Sequence, residues 1–293
     1  MRNNVFTILI LSCLFASALA TASETWAPVE ESSIRTAGLK ILKPEKSIVY
    51  SMDESMLQAV LGNLPADPSL GRNMVLPTPN GSFRQFRVWL DPVMEPGLAE
   101  KYPGIRTFSG VAIDNPAVTV KLDYTQFGFH AMVMDGNATY FIDPYTNRND
   151  SYYICYFKKD YRLPEGSGMI CEIGEESAPH TAEAIHVGGP KLPPMQYKIN
   201  GATKKTYRLA VACSGEYAVA VAGVNPTKAD VLAKIITSVN RVSGVYEREL
   251  AVHLSLIANN DTIIFLDAAA DPYSNNSNSA LLGQNQNTIT TYI

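Results

Sequence analysis

The sequence predicts an α+β fold in which a β-rich block precedes a strand, a long helix and a second strand. Three observations lead to this prediction. Residues 33–161 alternate extended, β-prone runs with turn signals such as Asn80-Gly81 and Asp135-Gly136. Residues 162–205 lose apolar periodicity and contain five prolines. Residues 231–246 then repeat apolar side chains at helical spacing.

The composition excludes several classes of protein. The chain has 293 residues, of which 46% are hydrophobic and 18% are charged, values that argue against wholesale disorder. Lys and Arg number 24 against 28 Asp and Glu, and the net charge is −4. Because there is also no long basic run, we do not expect nucleic acid as a partner.

The first twenty residues are predicted to be a secretory signal peptide, residues 1–20. A basic start precedes the apolar run at residues 5–16, and Ala18-Leu19-Ala20 provides a cleavage signal after Ala20. A membrane anchor is the alternative, but the run is shorter than the roughly 20 apolar residues that a span needs. Lipidation at Cys13 is a further, weaker alternative. The mature chain is therefore expected to be secreted, without a membrane partner after signal removal.

The β-rich block is predicted to cover residues 21–161. Asn80-Gly81 indicates a hairpin within residues 74–90, because both residues tolerate positive φ. Two short helices are predicted near residues 53–61 and 95–102. The remaining strands are expected at residues 118–122, 128–133, 139–142 and 152–157.

Residues 162–205 are predicted to be a linker that contains a processing site, since Pro- and Gly-rich segments between domains are exposed to proteases. The last block, residues 206–293, begins with a strand at residues 207–214. Asn225 is predicted to cap a helix that starts at Pro226. Its buried face is expected to carry Val231, Ile235, Val239, Val242 and Tyr246.

A second strand is predicted at residues 252–257, and a third is considered at residues 262–266. A strand, a long helix and a strand form a crossover unit with parallel strands. Another helix is expected to begin near Ala280. A unit of this size buries little apolar surface by itself, so the sequence predicts that this last domain is incomplete at Ile293.

Several phrases resemble secreted bacterial metzincin zinc peptidases of the reprolysin-like type that carry a propeptide. In the first block the phrases are NGSFRQFRV (80–88), MEPGLAEKYP (94–103), GFHAM (128–132) and YFIDPY (140–145). In the last block they are YRLAVA (207–212), GEY (215–217), VNRVSGVYEREL (239–250) and GQNQ (283–286). The resemblance implies a propeptide, residues 21–161, that contacts the N-terminal part of a metzincin-like catalytic domain, residues 206–293, within the same chain.

The resemblance also implies zinc and a protein or peptide substrate, but for the full-length protein only. The family's zinc site is H-E-x-x-H, in which two His bind the metal and the Glu activates its water. The four His of this chain are His130, His180, His186 and His253; none is followed by Glu, and no two are four apart. The sequence therefore predicts no catalytic residue and no metal ligand in this chain, and no peptidase activity.

Three cysteines, Cys155, Cys171 and Cys213, remain after signal removal. An oxidising compartment favours a disulfide, and Cys155–Cys171 is the preferred pairing. The alternative role for Cys171 is a latency thiol that binds the catalytic zinc, although its surroundings do not match the usual motif. Cys213 is expected to be a buried, inert thiol.

Other polar residues have a functional and an ordinary interpretation. Glu216 is either part of a metal site or an exposed carboxylate at a strand end, and His253 is expected to be an ordinary packed or exposed histidine. Three aspartates near the end of the chain have two interpretations, a calcium site or a solvated loop, and the solvated loop is preferred because their spacing fits no EF-hand: Asp261, Asp267 and Asp271. Five asparagines fit the N-x-[ST] pattern, which matters only in a glycosylating host: Asn80, Asn137, Asn149, Asn260 and Asn275.

Two functions follow. The first is a fragment of a secreted zinc metallopeptidase precursor, in which the β-rich block covers the cleft and assists folding until the linker is cut. The alternative is a short secreted binding module, or a trans-acting inhibitor or chaperone of a related peptidase. The apolar face of the 226–250 helix favours the first, since an exposed stripe of that size invites aggregation.

Overall fold

A computed structural model describes residues 25–136, 138–148, 151–162, 203–274 and 278–293. Within these ranges, an N-terminal antiparallel sheet is followed by helices and a small parallel sheet. The predicted α+β class is confirmed. We call residues 25–162 the β block and residues 203–293 the C-terminal block.

Nine strands of the β block form one antiparallel sheet in the order β1-β2-β9-β8-β7-β6-β5-β4-β3. The predicted hairpin is β3–β4, and Gly81 in its loop has a φ of 83°, which favours glycine. The predicted strands at 118–122 to 152–157 are also present. The strand bounds are β1 Trp26–Pro28, β2 Ile48–Met52, β3 Arg72–Pro77, β4 Phe83–Leu90, β5 Arg106–Ala112, β6 Thr119–Thr125, β7 Gly128–Met134, β8 Tyr140–Pro144 and β9 Tyr152–Phe157.

One face of this sheet forms an apolar core. Helix α1 (Glu54–Leu61) covers it with Leu57 and Leu61, and Asp53 caps the helix. Trp26 on edge strand β1 donates from Nε1 to Val75 O on the opposite edge strand, 3.0 Å away, so the two edges of the sheet lie close together. Trp26 is fully buried among the rings of Tyr50, Phe129 and Tyr153.

The C-terminal block has the predicted crossover unit. Strand β10 (Lys205–Leu209) pairs in parallel with β11 (Val252–Leu256), and helix α4 (Lys228–Leu250) connects them after a shorter helix, α3 (Gly215–Ala222). Helix α5 (Asn278–Tyr292) matches the helix expected near residue 280. Among the described residues, no helix has both the length and the hydropathy needed to cross a bilayer.

The long helix begins two residues later than predicted. Asn225 has a φ of 58°, whereas an N-cap residue needs extended backbone. Thr227 is the N-cap instead: its Oγ1 accepts from Asp230 N at 3.2 Å, and Asp230 Oδ2 accepts from Thr227 N at 3.0 Å. This reciprocal pair is a capping box.

Three further expectations were wrong. The strand predicted at 207–214 ends at Leu209, and helix α3 starts directly after Ser214, in a region where no helix was predicted. The strand considered at 262–266 does not form: a 3-10 helix, Asn260–Ile263, reaches into its first half, and Ile264 makes a single bridge with Cys213. On α4, Val242 and Tyr246 are exposed at 45% and 42% instead of being buried.

The two blocks share a hydrophobic core. The segment after β4 contains helix α2 (Pro96–Lys101), which lies where a helix was predicted at 95–102. Four buried side chains of this region, Val93, Met94, Leu98 and Ile105, pack with buried residues of the C-terminal block. The C-terminal residues of that core include Val231, Leu232, Ile235, Ile236 and Leu256.

Candidate functional site: the contact between the two blocks

Helix α4 lies between the two sheets. One side packs on β11, and the other packs on β6 of the nine-stranded sheet. Whereas one face of the large sheet is apolar, the face that meets α4 carries charged side chains beside apolar ones such as Met132 and Met134. Its buried charged or titratable side chains are Lys121, Asp123, His130 and Asp143. In an antiparallel sheet, a face that carries charged side chains is normally exposed to water. The burial of this face by α4 makes the contact between the two blocks the candidate functional site.

Four residues from both blocks form what we call the interface cluster: Asp91, Lys121, Glu247 and His253. The Lys121 Nζ lies 2.8 Å from Asp91 Oδ2 and 2.8 Å from Glu247 Oε1. His253 Nδ1 is 2.7 Å from the same Glu247 oxygen. The Lys121 side chain is only 3% exposed, so the ammonium ion depends on these carboxylates for its stability.

The cluster keeps its carboxylates ionised. Desolvation by itself would raise the pKa of Asp91. The charge and hydrogen bond of Lys121, together with the hydrogen bond from the Ser109 hydroxyl, outweigh this effect and lower the pKa to about 2. Burial likewise opposes ionisation of Glu247, yet the hydrogen bond from His253 and the Lys121 charge hold the pKa of Glu247 below its usual value. Two blocks of the chain are therefore joined by a buried, charge-assisted network.

A second polar contact lies about two to three helical turns before Glu247, towards the start of α4. Thr237 Oγ1 donates to Asp123 Oδ1 at 2.7 Å, and Asn240 Nδ2 donates to Leu122 O at 2.8 Å. Arg241 pairs with Asp143 and lies 4.9 Å from the ring centroid of Phe141. Burial lowers the pKa of Arg241, but Asp143 and Asp123 raise it above its usual value overall.

A third contact extends the small parallel sheet, and we call its residues 93–95 the clamp. Leu256 N donates to Val93 O, and Glu95 N donates to Leu256 O, both at 2.8 Å. Glu95 also accepts from Ala258 N at 2.9 Å and from Arg208 Nε at 2.5 Å. The clamp thus occupies part of the β11 edge that would otherwise present unpaired backbone groups.

The interface cluster does not fit a metal ion, although oxygen and nitrogen atoms of Asp91, Glu247 and His253 lie within 4.8 Å of one another. Lys121 already provides a cation between the two carboxylates. The second ring nitrogen of His253, Nε2, lies 3.1 Å from Pro92 O, so both ring nitrogens already face oxygen atoms of the protein at hydrogen-bond distance. The cluster is therefore a structural contact between the blocks.

The cysteines fall into two groups. Cys155 and Cys213 are buried, and burial raises the pKa of both thiols, that of Cys213 to about 11. A protonated, buried thiol is unreactive, as expected for Cys213. Cys171 and the cleavage position Ala20 lie outside the described residues, so the Cys155–Cys171 disulfide and the latency thiol stay predictions.

The remaining candidates have local structural roles. Glu216 is exposed in the first turn of α3, not at a strand end. His253 is packed against Glu247, as the ordinary interpretation expected. The three aspartates have separate tasks: Asp261 pairs with Lys101, Asp267 accepts from Ala269 N, and Asp271 accepts from Gly215 N.

The structure describes two of the five asparagines in N-x-[ST] patterns, and they differ in exposure. Asn80 is exposed at the tip of the β3–β4 hairpin, whereas Asn260 is fully buried. The Asn260 amide accepts from Val211 N at 2.8 Å and donates to Val211 O at 3.1 Å. Asn260 is therefore a structural residue. Asn137, Asn149 and Asn275 lie outside the described residues.

A cavity of about 410 Å³ lies between the end of β10 and helices α3, α4 and α5. Its lining is mainly apolar and includes Val211, Cys213, Ile235 and Val239. The only thiol in that lining is the unreactive Cys213. The described residues that line the cavity include hydroxyl groups, but no carboxylate or imidazole that would serve as a general base.

Sequence reasoning missed Asp91, Lys121 and Glu247. Lys121 alternates with the apolar Val120 and Leu122, a pattern that indicates a solvent-facing side chain. A sequence feature that indicates the contact lies on the helix, where Asn240, Ser243 and Gly244 place small or polar residues at helical spacing. All three are buried in the structure. Such residues in a helix indicate close contact with another polar surface.

These features define a class of protein: a crossover unit held against a separate β-sheet block of the same chain. Residues 203–293 of the C-terminal block match the metallopeptidase family M12B, reprolysin-like. Peptidases of that family are zinc-dependent in general. The match includes β10, β11 and the helices between and after them, roughly a third of the chain. A comparison with curated proteins found no match.

Proposed function

We propose that the chain is part of a secreted zinc metallopeptidase precursor, with residues 1–20 as signal peptide and the β block as propeptide. The observation that supports the proposal best is the family match at residues 203–293, which starts two residues before strand β10 and includes helix α5. The resemblance of phrases in both blocks supports the order of propeptide and peptidase domain.

The residues of this chain would hold and orient the start of the peptidase domain. Zinc, when bound in the complete domain, would activate the water that attacks a peptide bond. The chain offers no H-E-x-x-H for that role, and the interface cluster does not substitute for it. Instead, the buried contacts of the β block hold α4 against the large sheet. This supports the proposal that the β block assists the folding of the peptidase domain.

A peptidase assay tests the proposal. Purified residues 21–293, supplied with zinc, should not cleave casein, because no zinc-binding motif or general base is present. An active zinc peptidase in the same buffer serves as the positive control. Cleavage that a chelator abolishes would contradict the proposed absence of activity.

The coding DNA beyond the Ile293 codon tests the family assignment directly. An in-frame continuation into H-E-x-x-H supports a peptidase precursor. A stop codon without that motif downstream would instead favour a module that acts in trans on a related peptidase.

A further inference from the structure

The cavity of about 410 Å³ in the C-terminal block has a buried apolar floor and an open polar rim. Cys213, Ile235 and Val239 line its inner part and are buried. Ser238 and Asn285 also line the cavity, and both are exposed. Cavities of about 300–1,000 Å³ with a mainly apolar lining and a few polar groups are the usual sites for small molecules. The size and lining of this cavity therefore fit a small ligand.

Contacts within the protein fix the walls of the cavity. The Asp271 carboxylate accepts from Gly215 N at 2.7 Å and from Tyr273 N at 2.8 Å, so it joins the start of α3 to the segment before α5. The ring of Phe265 packs edge-on against Tyr273, with 6.0 Å between the ring centroids. Because these walls are already ordered, a ligand that enters the cavity does not have to order them.

The hydrogen-bonding groups of the cavity are uncharged. Tyr273 Oη donates to Asn285 Oδ1 at 3.1 Å, and this bond does not use the NH₂ group of Asn285, which is a donor. Ser214 Oγ accepts from Tyr217 N at 3.4 Å, and that bond does not use the hydroxyl hydrogen of Ser214. None of the described lining residues is Asp, Glu, Lys, Arg or His. A charged ligand would lose its hydration here without an opposite charge to compensate.

We propose that this cavity binds a small neutral molecule with a rigid apolar body, such as an aromatic ring system, and one hydroxyl or amide head group. The body lies on the floor against Ile235 and Val239, and the head group contacts Asn285 at the rim. A rigid body loses little rotational freedom on binding. The described lining residues all lie between Val211 and Asn285, so the proposal is independent of the β block and of peptidase activity.

Calorimetric titration of residues 21–293 at neutral pH with 1-naphthol, naphthalene and 1-naphthoate tests the class of ligand. We expect 1-naphthol to bind at one site per chain, roughly three- to tenfold more tightly than naphthalene, because its hydroxyl adds a hydrogen bond. The charged 1-naphthoate should bind more weakly than 1-naphthol. Absence of saturable binding by 1-naphthol, or binding of 1-naphthoate that is at least as tight, would overturn the proposal, whatever the casein assay shows.

A pair of variants on α4 tests the location of the site. Val239→Phe places a larger side chain in the floor of the cavity and should abolish the binding of 1-naphthol. Val245→Phe makes the same change at an exposed position that is not part of the lining, and it should leave the binding unchanged. Equal affinity of the two folded variants for 1-naphthol would overturn the assignment to this cavity.

If Val239→Phe does not fold, a change on the surface of α5 replaces it. Asn285→Leu removes the head-group contact at the rim, so the preference for 1-naphthol over naphthalene should disappear. Asn287→Leu, at another exposed position of the same helix outside the lining, should keep that preference. A preference that persists in Asn285→Leu would overturn the proposed mode of binding.

Discussion

At the residue scale, Lys121 explains how a charged side chain is tolerated inside the contact. Asp91 and Glu247 balance its charge from opposite blocks, and the Ser109 hydroxyl donates to Asp91 at 2.5 Å. Removal of one partner leaves a buried charge without compensation. That situation costs far more than the intact pair contributes.

We therefore expect Lys121→Met to destabilise the protein by about 3–5 kcal/mol, because Asp91 and Glu247 lose their shared cation. The matched control is Lys40→Met, which breaks an ion pair with Glu31 whose side chains are 26% and 51% exposed. That variant should lose less than about 1 kcal/mol. Urea unfolding of both variants measures the difference, and similar losses would contradict the role of Lys121.

The pKa of Asp91 predicts a pH dependence of stability. Because this pKa is about 2 in the folded protein and 3.8 ordinarily, the unfolded chain binds the proton more readily. The contribution of Asp91, about 2 kcal/mol, is complete above pH 4 and is lost as pH falls towards 2.

Urea midpoints between pH 2 and pH 6 test this expectation. Asp91→Asn should show a flatter loss of stability below pH 4 than the unchanged protein. Asp114→Asn, which removes a carboxylate with a 60% exposed side chain, should follow the unchanged protein. Identical profiles for the Asp91 variant and the unchanged protein would refute the prediction.

At the element scale, helix α4 has a strong local start signal and a divided environment. Its capping box uses only Thr227 and Asp230, which are neighbours in the sequence. The cap predicted from the sequence, Asn225, lies two residues before the observed one. Its buried residues change character along the helix, from Val231 and Ile235 to Asn240 and Gly244. The change follows the surface that α4 meets, which periodicity does not reveal.

Thr227→Ala should lower the free energy of unfolding by about 1 kcal/mol, because the helix loses the oxygen that accepts from Asp230 N. Ser238→Ala, at an exposed position of the same helix, should change it by less than about 0.5 kcal/mol. Denaturant unfolding followed by circular dichroism distinguishes the two. Equal effects would show that the cap contributes no special stability.

At the scale of the whole molecule, the two blocks are expected to unfold together. Residues 93–105 belong by sequence to the β block but pack in the core of the C-terminal block. Both tryptophans, Trp26 and Trp89, lie in the β block, whereas the long helix α4 lies in the C-terminal block. Fluorescence and circular dichroism at 222 nm therefore report mainly on different blocks.

We expect the two signals to give the same denaturation midpoint, because a hydrophobic core built from residues of both blocks joins them. Leu98→Ala, which truncates a fully buried side chain of that core, should shift both midpoints equally and cost about 2–4 kcal/mol. Two separate transitions in the unchanged chain would instead support independent domains.

The sequence by itself determined the fold class, most strands and helices and the crossover unit. These features depend on local preferences: Asn80-Gly81 for the hairpin, period-two strands in the β block and helical spacing after Thr227. The resemblance also pointed to the family that residues 203–293 match.

Only the tertiary structure decided which faces are buried and how the blocks meet. A strand pattern assigns Lys121 and Asp123 to the face opposite Leu122, but it cannot distinguish water from a polar helix as their neighbour. The packing of α4 supplies that neighbour through Thr237, Asn240, Arg241 and Glu247. The reason is physical: alternation reflects only local geometry, whereas burial of a charge depends on a partner more than a hundred residues away.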